Sequence, residues 1–151
     1  MMWGRITHKS VGYGSHIQEI MDAQVYLHVL ETSLKDTLDY WGYSTNDVIF
    51  QHDNDPKHTS SSTKEYLEHQ GIEVLPWPAQ SPDLNPIEHV WHYLKLRLST
   101  YERRAASIHE LWDRVDREWN KITPEMCCDY IDSMPLRIRA VIDAKGGYIN
   151  Y

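Results

Sequence analysis

Residues 48 to 78 alternate in a way that leaves few folds open to the chain. Val48, Ile49 and Phe50 are β-branched or aromatic and predict a buried strand over 48–52. Thr59 or Ser60 then caps a helix that runs through Tyr66 and Leu67 to Gly71. "IEVLPWP" predicts a further strand, stopped by Pro76 and Pro78. Strand, helix, strand at this spacing is a parallel βαβ unit, which commits the chain to the α/β class. Between the first strand and the helix stands a knot of polar residues: His52, Asp53, Asn54, Asp55, Lys57 and His58. The C-terminal end of a parallel strand is where such folds gather their chemistry, yet Asn54-Asp55-Pro56 is also strong turn chemistry.

The flanking segments fit the same class. Met2 to Thr7 predicts a strand, "HKSVGYG" a turn, and Tyr13 to Ile20 a second strand closing a hairpin. Asp22 is an N-cap for a helix in which Val25, Tyr26, Val29, Leu30, Leu34 and Leu38 follow helical spacing as far as Gly42. Beyond residue 80 the pattern is helical. One helix opens at Asn85-Pro86, with Ile87, Trp91, Leu94 and Leu98 on one face. Ser107 and Glu110 form a capping-box pattern ahead of Leu111, Trp112, Val115 and Trp119. Thr123-Pro124 starts another helix, Ser133-Met134-Pro135 interrupts it, and the last helix ends at Gly146-Gly147. With no internal repeat, low-complexity tract or linker, the sequence reads as one α/β domain.

Composition narrows the function classes. At 41% hydrophobic and 11% aromatic residues the chain has the means to build a core, which excludes disorder. A formal net charge of −7 argues against a freestanding, sequence-independent nucleic-acid binder, although a basic groove can coexist with an acidic whole. The six Trp predict core rather than stacking platforms for bases, and Lys95, Arg97, Arg103 and Arg104 a solvated helix face rather than a DNA track. The only cysteines, Cys127 and Cys128, are adjacent and form no CxxC pattern, which points to reduced thiols and an intracellular protein. No apolar run approaches transmembrane length and "MMWGRITHKS" lacks the build of a signal peptide, so no membrane partner is expected.

Asp53, at the tip of a strand, and Glu88, near the start of a helix, are the candidate catalytic and metal-holding residues, with 34 residues between them. At about 100° per residue Glu88 borders the apolar face of its helix, where Ile87 and Trp91 would anchor it. Two carboxylates brought together repel unless a cation separates them, and hard oxygen donors with open positions suit Mg²⁺ or Mn²⁺. Such a centre activates water or a 3′-hydroxyl for in-line attack at phosphorus. Plainer readings stand beside this one. Glu88 is also the third helical residue of a capping box with Asn85, and Asp53 to Pro56 reads equally as a turn. A further reading makes His52, Asp53 and His58 a mononuclear two-His-one-carboxylate centre, although consecutive strand residues point to opposite faces.

"FQHDNDPKHTS", "LPWPAQSPDLNPIEHVWHYLK" and "SMPLRIRAVIDAKGGYINY", preceded by "WGRIT" and "MDAQVYLHVLE", resemble the catalytic domain of Tc1/mariner transposases nearly end to end. The resemblance implies an RNase H-like α/β fold, a mixed sheet flanked by helices. It also implies a DDE or DDD triad holding two divalent ions, Mg²⁺ or Mn²⁺, that cuts and joins DNA at transposon ends. Asp53 matches the second catalytic acid and Glu88 the third, at the spacing of the Tc1 branch. Asn54, His58 and Asp83 are expected as outer partners that orient the metal-holding carboxylates. Transposon-end DNA is the implied partner and the nucleus the implied location.

In the family the first catalytic Asp lies on the first, central strand, upstream of the segment that "MMWGRIT" resembles. None of Asp22, Asp36, Asp39 or Asp47 stands in an equivalent place. Residues 1–151 are therefore expected to be a partial, N-terminally truncated catalytic domain without that strand and without the helix-turn-helix region that reads transposon ends. Two consequences are expected. Too few anionic ligands remain for strand transfer by this chain alone, and an uncovered sheet invites self-association. The alternatives are a repurposed, non-catalytic DNA- or protein-binding module and, more remotely, the His/Asp metal hydrolase.

Overall fold

The computed structural model describes residues 1–149; Asn150 and Tyr151, the end of the last resembling segment, lie outside it. Contacts divide the chain into two compact units. The first takes Met1–Trp3 and Ser15–Ser81, the second Gly4–Gly14 and the chain from Pro82 onward.

The first unit is built around one long helical segment and a βαβ unit. Strand β1 (Met2–Trp3) pairs antiparallel with β4 (Ser15–His16). Helix α1 (Ala23–Val29) starts where the Asp22 carboxylate accepts the Val25 N–H at 2.9 Å. It passes through a π-helical turn (Leu30–Leu34) into α2 (Lys35–Trp41), which Gly42 closes at φ +66°. The π turn has a physical reason. Tyr26, Leu30, Leu34 and Leu38 recur every four residues, and on an α-helix each such step overshoots a full turn by about 40°. The wider π turn takes up that drift, so all four side chains are buried together with Leu67 and Ile72.

Strand β5 (Ile49–Phe50) runs parallel to β6 (Glu73–Val74), with Ile49 opposite Glu73 and Phe50 opposite Val74. Helix α3 (Ser61–His69) crosses between them, capped by the Ser60 hydroxyl and followed by Gly71 at φ +67°. The expected βαβ unit is present, but its first strand is two residues long rather than 48–52. Nor is it buried: Ile49 is 59% exposed. Among the described residues β5 pairs with β6 alone, so its other edge has no strand partner.

In the second unit β2 (Ile6–Thr7) pairs with β3 (Ser10–Val11) about a tight turn at His8-Lys9, where the Thr7 hydroxyl accepts the Lys9 N–H at 3.2 Å. The predicted strands Met2–Thr7 and Tyr13–Ile20 are thus each replaced by short pieces. The Trp119 indole explains one break, since it donates to the Gly12 carbonyl at 2.8 Å. Gly4 explains the other. A Cβ there would overlap Cη2 of Trp119 and lie 2.9 Å from Cη2 of Trp91, whose rings stack at 5.6 Å.

Four helices complete the unit: α4 (Ile87–Ser99), α5 (Ile108–Trp119), α6 (Pro124–Asp132) and α7 (Met134–Asp143). Ser107 accepts the Glu110 N–H as expected, but the Glu110 carboxylate turns to the Ala106 N–H, so only half of the capping box forms. Thr123 caps α6. Helix α4 buries Val90 and Leu94, whereas Ile87, Trp91 and Leu98 of the predicted face are half-buried. Of the six Trp only Trp119 is fully buried. Among the described residues no helix is long and apolar enough to cross a membrane.

The second unit also buries charge. Glu118 is 2% exposed and its carboxylate accepts from Lys121 Nζ at 2.7 Å, Tyr101 Oη at 2.9 Å and Arg97 Nε at 3.1 Å. Arg97 is therefore an anchor, not part of a solvated stripe. These bonds, with Lys121 foremost, hold the Glu118 carboxyl at about 2, against an ordinary value of 4.5.

Two outcomes are expected. Gly4→Ala should cost about 1–3 kcal/mol in urea unfolding, because the added methyl has no room beside the stacked indoles. Glu118 binds its proton less readily when folded, so its contribution is fully present above pH 4.5 and is lost as pH falls toward 2. Glu118→Gln should lower stability at neutral pH and flatten its acid dependence across that window. An unchanged acid limb would count against the network.

Candidate functional site

After Phe50 the chain leaves β5 and its own side chains build the loop that follows. Asp53 Oδ1 accepts the Asp55 N–H at 3.1 Å, an Asx turn. Asp55 in turn accepts the Lys57 N–H at 3.1 Å and pairs with the Lys57 ammonium, which holds the Asp55 carboxyl below its usual range. The Asp55 carbonyl accepts from the His58 and Thr59 N–H groups at 2.9 and 3.1 Å. Asn54 donates its amide to the Trp77 carbonyl at 2.7 Å, tying the loop to the segment beyond β6. The turn chemistry is real, and it leaves one carboxylate facing outward.

That carboxylate is Asp53, whose side chain is 61% exposed. His58 Nδ1 lies 2.6 Å from Oδ1; a carboxylate only accepts, so Nδ1 carries the proton. Oδ2 takes no hydrogen bond among the described residues and keeps its lone pairs open to solvent. Behind Asp53 the network goes inward. The His58 ring packs on Tyr26 at 4.1 Å between centroids and lies parallel to His52 at 5.4 Å. The buried Tyr26 hydroxyl is 3.0 Å from His52 Nδ1. Burial, then the neighbouring His58, lowers the His52 pKa to about 4, so that imidazole is neutral at physiological pH. Burial and the charges of Asp53 and Asp55 push the Tyr26 phenol well above its ordinary value.

Asp53, Asn54 and His58 belong to the first unit, and Asp83 and Glu88 to the second. Glu88 stands exposed in the first turn of α4. Its backbone N–H donates to the Asn85 carbonyl, but its side chain makes no hydrogen bond or ion pair among the described residues. It does not cap the helix: the Asn85 side-chain oxygen accepts from Ile87 N–H at 3.3 Å instead. Asp83 accepts the Ile149 N–H at 3.3 Å, while its carbonyl accepts from Arg137 at 3.2 Å. Among the described residues no three His, Cys, Asp or Glu side chains are grouped to hold a metal ion. His52 and His58 in particular stack rather than converge, and their Nδ1 atoms face Tyr26 and Asp53. Sequence reasoning missed Tyr26, although a phenol inside a leucine stripe carries a polar tip that must find a partner.

A family model described as DDE superfamily endonuclease matches residues 7–112, which include all five of these candidate residues. The chain belongs to this family. The Tc1 transposase of Caenorhabditis elegans is 39% identical over 153 aligned positions, which cover 100% of this chain and 54% of that protein. The Mos1 transposase catalytic domain, solved with raltegravir and Mn, matches with a TM-score of 0.86 at 25% identity over 99% of this chain and 83% of its own. A Mos1 mariner paired end complex with Mn gives 0.84 at 26% identity, over 95% of this chain and 43% of that one. The fold is therefore the expected RNase H-like one. The chain spans about half the length of the curated relatives it matches.

Since the Glu88 side chain makes no hydrogen bond or ion pair among the described residues, Glu88→Gln should change stability by no more than about 0.5 kcal/mol in urea unfolding. A larger loss would show that the carboxylate serves the fold.

Proposed function

We propose that this chain is the part of a Tc1/mariner-type transposase that supplies two metal-holding carboxylates, Asp53 and Glu88, for cutting and joining DNA at transposon ends. The observation that carries this reading is the state of Asp53. One carboxylate oxygen is fixed by His58 and the Asp55 N–H, and the other is left open. Glu88 adds a second exposed carboxylate, with no hydrogen bond or ion pair among the described residues.

Both are hard oxygen donors and fit Mg²⁺ or Mn²⁺. When bound, such ions activate the attacking oxygen and stabilise the leaving one. The chain's own residues do the positioning. His58 holds Oδ1 of Asp53, and Asp55 takes the Lys57 ammonium, so that this cation is partnered within the loop. Asn54 and Asp83 act on the segments that carry the two acids rather than on the acids themselves. The reading requires a third carboxylate beside Asp53 and Glu88 to complete the triad. Action on transposon ends places the protein in the nucleus.

The test is Mn²⁺ titration of residues 1–151 followed by electron paramagnetic resonance. Asp53→Asn and Glu88→Gln should each weaken binding by at least about tenfold, the loss that even an outer partner's change can cause. Binding indifferent to both substitutions would overturn the assignment. Robust Mg²⁺-dependent cleavage of a transposon-end duplex by these residues alone would overturn the need for a third carboxylate.

A further inference from the structure

Asp53 is exposed, but what holds it is not. Its partner His58 is 15% exposed, and behind His58 lies Tyr26 at 1%. Tyr26 touches the cluster twice. Its ring packs on the His58 ring at 4.1 Å, and its hydroxyl is 3.0 Å from Nδ1 of His52, whose ring lies within 9° of parallel to that of His58. His58 therefore packs against two rings that are themselves joined by a hydrogen bond. A histidine on a surface loop ordinarily samples several rotamers. This one is confined by contact with the Tyr26 and His52 rings, and its Nδ1–H is directed to Oδ1 of Asp53.

We propose that Tyr26, acting through His52 and His58, is a positioning residue for Asp53: it fixes the imidazole that ties down Oδ1 so that Oδ2 is presented to a divalent cation. The inference rests on the reading of Asp53 as a cation ligand. It assigns to a residue of α1, in the core stripe and 27 positions before Asp53, a part in the chemistry of the loop. The π turn belongs to the same device. It begins at Leu30, four residues after Tyr26, and keeps Leu30, Leu34 and Leu38 in line with it, anchoring the tyrosine in the core at the register the histidines require.

Substitution of His58 separates positioning from simple packing. Asparagine can offer an N–H where Nδ1–H stands, whereas glutamine carries its amide one bond further out. The readouts are Asp53-dependent Mn²⁺ affinity by electron paramagnetic resonance and, without any metal, the imidazole N–H proton resonance of His58. His58→Gln should weaken Mn²⁺ binding about ten- to a hundredfold. His58→Asn should restore most of the loss. Tyr26→Phe, which keeps the ring and removes the hydroxyl, should weaken Mn²⁺ binding and broaden or shift the His58 N–H resonance while the protein stays folded by circular dichroism. Equal affinity in the wild type, His58→Gln and Tyr26→Phe would overturn the proposal. Wild-type binding that ignores Asp53→Asn would instead remove the cation reading on which it rests, and with it the proposal. The two failures are told apart by the Asp53→Asn control.

Discussion

A phenol buried at 1% exposure must satisfy its hydroxyl, and among the described residues the Tyr26 hydroxyl meets a histidine nitrogen, Nδ1 of His52. That requirement organises the first unit. It keeps His52 folded back over the core instead of continuing a strand, so β5 stops at Phe50, whose carbonyl accepts the Leu75 N–H at 2.9 Å. It brings the rings of His52 and His58 into a stack. His52 and Tyr26 remain uncharged, so this hydrogen-bonded pair buries no ion, and Asp55 and Lys57 pair in the loop outside it. A neutral interior with charge at its mouth avoids the desolvation cost of burying an ion.

The second unit handles the same problem the opposite way. Glu118 is buried as an anion and is stabilised by two cations and a phenol, a set with enough donors to use both oxygens. Lys121 lies one turn from Glu118, but Arg97 and Tyr101 come from α4 and the segment after it, so the carboxylate fastens those elements to α5. Arg137, equally buried, does the corresponding work for α7 by donating to Ser133 and to the Asp83 carbonyl. Removing one of the donors leaves the buried Glu118 carboxylate under-satisfied, so the units differ in what acid should do to them. The Glu118 network weakens only well below neutrality, through its carboxyl.

Much of the local structure was legible because it is written in neighbouring residues. Asp22, Ser60, Ser107 and Thr123 cap their helices through side chains that reach only three positions on, and Gly42 and Gly71 take positive φ where helical segments end. The βαβ unit was legible from the same kind of signal. What could not be read depends on partners far away in sequence. Gly4 and Gly12 break the hairpin because of Trp119, more than a hundred residues on. The burial of Glu118 follows from Arg97, which the sequence reading assigned to a solvated face, and from Tyr101, which it did not single out. The π turn was hinted at by a strict four-residue spacing, but a spacing alone does not distinguish a winding stripe from a corrected one.

The two candidate acids show how far a sequence motif can be separated from its structural background. An acidic residue in a turn or a cap usually has a structural duty, and that duty competes with any chemical role. Asp53 divides the two between its oxygens: Oδ1 serves the Asx turn and His58, and Oδ2 serves neither. Glu88 had a plausible duty as a cap, but the Asn85 side-chain oxygen accepts from Ile87 N–H and the Glu88 carboxylate makes no hydrogen bond or ion pair among the described residues. An exposed carboxylate with no partner costs the folded chain little, so stability alone does not demand it. For Asp53 the stabilising contacts run inward through His58 to Tyr26, so the core that stabilises the first unit also fixes the direction in which its open oxygen points.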